Sequence, residues 1–256
     1  MLNENELAQI AQIKRLSIIQ TEKDYLQDIL LYLFYSIAGR ELVFKGGTCL
    51  YKAYGLNRFS EDLDFSAARH FDIERFINKT MEAAARLRVF GRIKTFDSYQ
   101  IQHNINLEFK GPLYNGNPKT MSFIGLDIST RSKPLLPASK CVLNPPYRDI
   151  PSFDIFAMDM KEILIEKIAA TYSRKKARDV YDIWFLLKNK KIEIDFGLLE
   201  KKLKKSKLVF EEETFLTKVN EKANTWKTDL EPIIAGELPP FSQVKKEIKE
   251  KLEVVK

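Results

Sequence analysis

Apolar residues recur at helical spacing over residues 4–18 and 21–38, which predicts two amphipathic helices, the second opened by Thr21 with Asp24 three residues later. Leu42-Val43-Phe44 is a short apolar run ended by Gly46-Gly47 and predicts a strand. Residues 48–54 then predict a short helix stopped at Gly55. Over residues 62–65 carboxylates alternate with apolar residues, so a strand here puts Asp62 and Asp64 on one face and Leu63 and Phe65 on the other. A helix over 71–88 follows. From Arg92 onward the period becomes two, with Ile105, Leu107 and Phe109 on one side of a half-buried strand and Asn104, Asn106 and Glu108 on the other. Residues 120–130 predict a further strand that sets Ile124, Leu126 and Ile128 against Phe123, Gly125 and Asp127.

The proline-rich stretch 133–151 then reads as a linker between a mixed half and a helical half. Beyond it, periodicity predicts helices over 158–172, 176–189, 196–205, 211–226 and 241–255, the last three strongly charged. The expected class is α+β: a mixed sheet with flanking helices over residues 1–140, then a C-terminal helical domain over 150–256. The lysine run KKLKKSK at 201–207 reads as a solvated face, with a phosphate-backbone track as the alternative.

Composition narrows this picture. The 256 residues are 45% hydrophobic, with 17 Phe and 10 Tyr, enough to bury a sizeable core. Cys49 and Cys141 form no CxxC pair, and with only His70 and His103 they exclude a Cys/His zinc site of the usual spacing. The apolar run LQDILLYLFYSIAG at 26–39 is too short to span a bilayer and the first residues include acids, so a cytoplasmic protein with no membrane partner is expected. A net charge of +7 permits attraction to a polyanion.

Candidate chemistry centres on the acids. Carboxylates at i and i+2 on a strand lie about 7 Å apart at their Cα atoms and can converge on one or two Mg²⁺ or Mn²⁺ ions, with Asp127 from the later strand as the candidate third ligand. Such ions activate an attacking hydroxyl and stabilise a leaving pyrophosphate. Gly46-Gly47 at a strand-to-helix turn would let backbone N–H groups approach a triphosphate, with Lys45, Thr48 and Arg58 as further donors; a plain tight turn is the other reading of the pair. The loop is neither GxxxxGK[ST] nor GxGxxG, which excludes a P-loop and disfavours a dinucleotide fold. In the helical half, Lys167 lies on a largely apolar helix, and Asp179 and Asp182 share one face of the next. They are either functional or a structural cluster pairing Arg178 with Asp182 and Lys167 with Asp179.

KGGTCLYKAYGLNRFSEDLDFS followed by EILIEKIAATYSRKKARDVYDIWFLL closely resembles the AbiEii/AbiGii toxin family of nucleotidyltransferases, relatives of the DNA polymerase β-like fold. The resemblance covers roughly residues 40–190. It implies a nucleotidyltransferase half and a helical half with the active site between them. It also implies a toxin–antitoxin or phage-defence role, with a cognate antitoxin as partner. Gly46, Gly47 and Thr48 would match the nucleotide loop, in which serine is frequent where this chain has Thr48. Asp62 and Asp64 would match the metal-binding acids, Lys167 the helical lysine that contacts nucleotide, and Asp179 or Asp182 the late acidic motif.

The expected activity is therefore Mg²⁺-dependent transfer of NMP from NTP to an RNA acceptor, the tRNA 3′ end being one used in the family. A kinase-type phosphotransferase is the alternative within enzymes, although no HRDxxxxN or DFG set is present. A non-catalytic nucleic-acid or antitoxin-binding module on the same fold is the alternative outside them.

Overall fold

The structure is a computed structural model that describes residues 1–131, 133–204 and 207–253. Lys205 and Ser206 of the lysine run, and Val254 and Val255 at the end of the last expected helix, lie outside the described residues. The chain divides into two compact units: Met1–Gly55 with Phe59–Met158, and Leu56–Arg58 with Asp159–Lys256. No described helix is long and apolar enough to cross a membrane.

The first unit begins with α1 (Glu4–Lys14) and α2 (Ile18–Ala38). Helix α2 starts earlier than expected, because Ser17 and Gln20 form a reciprocal capping box that satisfies the first N–H groups. Thr21 and Asp24 are consequently buried inside the helix rather than capping it. Then come β1 (Leu42–Lys45), α3 (Gly46–Tyr54), β2 (Leu63–Ala67), α4 (Ile73–Arg86), β3 (Gly91–Tyr99), β4 (Gln102–Phe109), β5 (Ser122–Ser129), β6 (Ser139–Leu143) and β7 (Phe153–Ala157).

The seven strands form one mixed sheet in the order β3-β4-β5-β2-β1-β7-β6. Strand β1 pairs antiparallel with β2 and parallel with β7, while β2 pairs parallel with β5. Alternation along the central strands buries Leu63, Phe65, Leu126 and Ile128. Phe65 stacks on Phe44 at 5.2 Å and meets Phe34 of α2 edge-on at 5.5 Å, so each ring contributes about 1.5–3 kcal/mol through burial. The proline-rich stretch is not merely a connection: β6 lies within it, β7 follows it directly, and together they complete the sheet. The prolines lie outside both strands, where no ladder N–H is needed.

The second unit holds α5 (Met160–Ser173), α6 (Ala177–Lys188), α7 (Phe196–Lys204), α8 (Glu212–Asn220), α9 (Trp226–Leu230) and α10 (Phe241–Glu253). The single helix expected over 211–226 is two, since α8 ends at Asn220 and a 3₁₀ turn precedes α9. The Trp184 indole donates to Glu247 at 2.6 Å, joining α6 to α10. Within this unit the Leu56–Arg58 segment pairs through Arg58 with Ile234, and the Ala235 N–H donates to the Asn57 carbonyl at 2.8 Å.

Candidate active site

In the first unit the sheet register assembles the acids. Asp64 lies opposite Lys45 of β1 on one side and Asp127 of β5 on the other, and Asp127 in turn lies opposite Asn104 of β4. Register partners on adjacent strands share a face, so Lys45, Asp64, Asp127 and Asn104 form one polar row. Asp62 immediately precedes β2 and reaches the same face. The opposite face is the apolar core, and this alternation turns the carboxylates away from it.

Two glycines are cut to fit these side chains. Gly46, the first residue of α3, has φ +74 and is packed against Asp64: a Cβ there would overlap Oδ2 and lie 2.9 Å from Cγ. Gly125, in mid-strand, would place a Cβ 2.7 Å from Asp62 Oδ1. Thr48, fully buried, donates its hydroxyl to the Asp62 carbonyl, which ties the first turn of α3 to the lead-in of β2. From the other side, Gln27 of α2 donates to the carbonyls of Ser60 at 2.9 Å and Glu61 at 2.7 Å. Lys45, the residue before α3, makes no side-chain cap bond to the first turn of the helix.

Gln102 donates its side-chain amide to Asp127 Oδ1. Among the described residues, no group of three or more His, Cys, Asp or Glu side chains comes together as a metal cage. The donor set nevertheless suits a hard divalent ion, because Mg²⁺ is usually held by one or two carboxylates together with water and substrate phosphates. Asp62 and Asp64 would supply such a pair, each packed closely against a glycine that a Cβ would push into the carboxylate.

In the second unit the sequence-selected charges form a buried cluster. The Arg58 guanidinium forks onto Asp182, Nε donating to Oδ1 at 2.7 Å and Nη2 to Oδ2 at 2.6 Å. Lys167 bridges Asp179 and Asp182, each at 2.8 Å. Asp182 thus takes Arg58 and Lys167, rather than the expected Arg178. Burial would raise the Asp182 carboxyl, but the adjacent Arg58 and Lys167 charges outweigh it and hold it below the usual carboxylate range. Burial would likewise depress Lys167, yet Asp182 and Asp179 raise it above the ordinary lysine value. Asp179 Oδ2 is buried with no hydrogen-bond partner among the described residues.

Three contributors escaped the sequence reading. Gly125 carried a usable signal, since a lone glycine inside an alternating strand marks close approach by another group. Gln27 and Gln102 carried none, because a polar residue on a helix or strand does not reveal which backbone or carboxylate it will meet.

The mixed sheet, the glycine turn between β1 and α3, and the paired acids beginning β2 define a nucleotidyltransferase fold. Residues 28–254 match the family described as nucleotidyl transferase AbiEii toxin, type IV toxin–antitoxin system, and the chain belongs to that family. It is a nucleotidyltransferase toxin of this class. Similar solved structures include MenT4, a nucleotidyltransferase toxin from Mycobacterium tuberculosis H37Rv, at TM-score 0.66 and 18% identity over 98% of this chain and 88% of that one. JHP933 from Helicobacter pylori matches at TM-score 0.63 and 19% identity, over 94% of this chain and 93% of that one. A putative nucleotidyltransferase from H. pylori matches at TM-score 0.61 and 18% identity, over 94% and 96%. No functionally curated protein matches the sequence.

Proposed function

We propose that the protein transfers a nucleoside monophosphate from an NTP to the 3′ hydroxyl of an RNA, with the acceptor end of tRNA as substrate and a cognate antitoxin as its natural restraint. Asp62 and Asp64 hold Mg²⁺ or Mn²⁺, and Asp127, in register beside Asp64, serves as third ligand or as base for the attacking hydroxyl. The bound ions would supply Lewis-acid stabilisation of the transferring phosphoryl group and of the leaving pyrophosphate. The backbone N–H groups of Gly46, Gly47 and Thr48, with the favourable dipole of α3 and the Lys45 ammonium, receive the triphosphate. Arg58 and Lys167 are occupied by Asp182 and Asp179, so a direct part for either in nucleotide binding requires an exchange of partners.

The observation that carries this reading is the pair of glycine cradles. Gly46 opens α3 and Gly125 lies within β5, yet each packs against one of the two aspartates, as expected where carboxylate position governs chemistry. The basic charge of the chain supports a polyanionic acceptor. The test incubates the protein with Mg²⁺, each labelled NTP and total tRNA. Label enters RNA with wild type and not with Asp64→Ala; transfer of no nucleotide, or equal transfer by the variant, would overturn it.

A further inference from the structure

A second buried charge cluster lies under the proposed nucleotide loop, built by residues that the chemistry itself does not use. Lys52, on the last turn of α3, is buried with its ammonium 2.7 Å from Asp24 Oδ1, 3.0 Å from the Asp24 carbonyl and 2.7 Å from Asp28 Oδ1. Asp24 also takes Lys14 of α1 and the Tyr147 hydroxyl. Lys14 lies over the Tyr51 ring at 5.1 Å. Asp24 and Asp28 are one turn apart on α2, and Gln27, between them in sequence, holds the two carbonyls that lead into Asp62.

One polar stripe of α2 therefore grips both halves of the site. Its carboxylates hold the far end of α3, whose near end packs Gly46 on Asp64 and ties Thr48 to Asp62. Its amide holds the chain entering β2. Lys52 is six residues from Gly46, about 9 Å along a helix, so a shift at the clamp is carried to the loop by a rigid rod. Resting on the reading of that loop as the nucleotide site, we propose that Lys52, Asp24 and Asp28 are positioning residues that set the Gly46–Thr48 loop against the aspartate pair for nucleotide binding.

The clamp is sensitive to proton uptake. Burial, opposed by Lys52 and reinforced by the Asp24 charge, pushes Asp28 up to about 6. The groups facing it are Lys52 and Tyr51 from α3, Lys14 from α1, Asp24 on its own helix and Tyr147 from the segment before β7. The folded state therefore favours the protonated carboxyl, and the ionised form that pairs with Lys52 predominates above that value.

The test compares wild type with Asp28→Asn, Lys52→Met and Lys52→Arg. Amide hydrogen exchange over residues 46–50 and 60–64 is measured at pH 7.5, where Asp28 is ionised, together with calorimetric titration of each NTP in the presence of Mg²⁺. Exchange is expected to rise in Asp28→Asn and Lys52→Met and to be restored in Lys52→Arg. Nucleotide affinity is expected to fall about tenfold in Asp28→Asn, consistent with loss of one charge-assisted contact. Native-like exchange in a folded Asp28→Asn would overturn the clamp; raised exchange with unchanged affinity would overturn its role in nucleotide binding. If Lys52→Met does not fold, Asp28→Asn decides. Exchange reports the clamp even for a protein that binds none of the nucleotides, and that outcome would overturn the loop assignment and with it the nucleotide role proposed here.

Discussion

Adding one methyl group at each glycine cradle separates a structural from a chemical consequence. In Gly46→Ala the new Cβ overlaps Asp64 Oδ2 and lies 2.9 Å from Cγ and 3.1 Å from Cβ of the same residue. The backbone at φ +74 adds about 1–2 kcal/mol of left-handed strain. In Gly125→Ala the Cβ would sit 2.7 Å from Asp62 Oδ1 and 3.4 Å from Cγ, with no positive φ to add strain. At Gly125 the crowded atoms belong to the end of the Asp62 side chain, which can turn aside, whereas at Gly46 the Asp64 Cβ must shift as well; both variants are expected to fold. The price falls on geometry: a displacement of about 1 Å in a reacting group typically costs on the order of 100-fold in rate. Both variants are expected to lose at least that factor in labelled-NMP transfer and to abolish toxicity on expression. Only Gly46→Ala should lower Tm, by roughly 4–8 °C for each kcal/mol in a domain of about 100 residues and less in a larger one. If Gly125→Ala transfers nucleotide within about threefold of wild type, an uncertainty well inside the expected factor, the cradle reasoning is refuted.

Thr48→Val leaves the Asp62 carbonyl without its hydroxyl donor and should cost about 1–3 kcal/mol together with activity, whereas Thr48→Ser keeps the donor and should behave as wild type in melting and transfer assays. Asp182→Ala removes the carboxylate shared by Arg58 and Lys167, and denaturant unfolding should show a loss of about 3–5 kcal/mol; an unchanged midpoint would contradict the buried-cluster account. The pH dependence carries opposite signs at two aspartates. Asp182 is depressed, so its stabilisation is present above about pH 4 and lost as pH falls through its native value. Asp28 is raised to about 6, so its contribution is present below about pH 4 and lost as pH rises through 6. The unfolding free energy of Asp28→Asn minus that of wild type should therefore rise between pH 5 and 7.5, and a flat difference would refute the raised value.

Local pattern was enough for several parts of this protein. Alternation at residues 62–65 and 120–130 assigned a face to each carboxylate, because successive strand side chains must point to opposite sides. Gly55 ended α3 in a left-handed cap, as a glycine there is free to do. The motif order of the glycine loop, the paired acids and the helical lysine and aspartates pointed to the family. Each of these depends on neighbours within a few residues or on motif order along the chain.

Pairings between distant segments required the folded chain. That Asp64 stands beside Asp127 follows from β2 and β5 being parallel partners, which no spacing along the chain specifies. That Arg58 takes Asp182 depends on a bond spanning 124 positions. Asp24 looked like a helix cap and is instead the centre of a buried cluster, since Ser17 and Gln20 had already satisfied the helix start. A charged residue in a sequence announces that it needs a partner once buried; only the packing of the elements supplies which one.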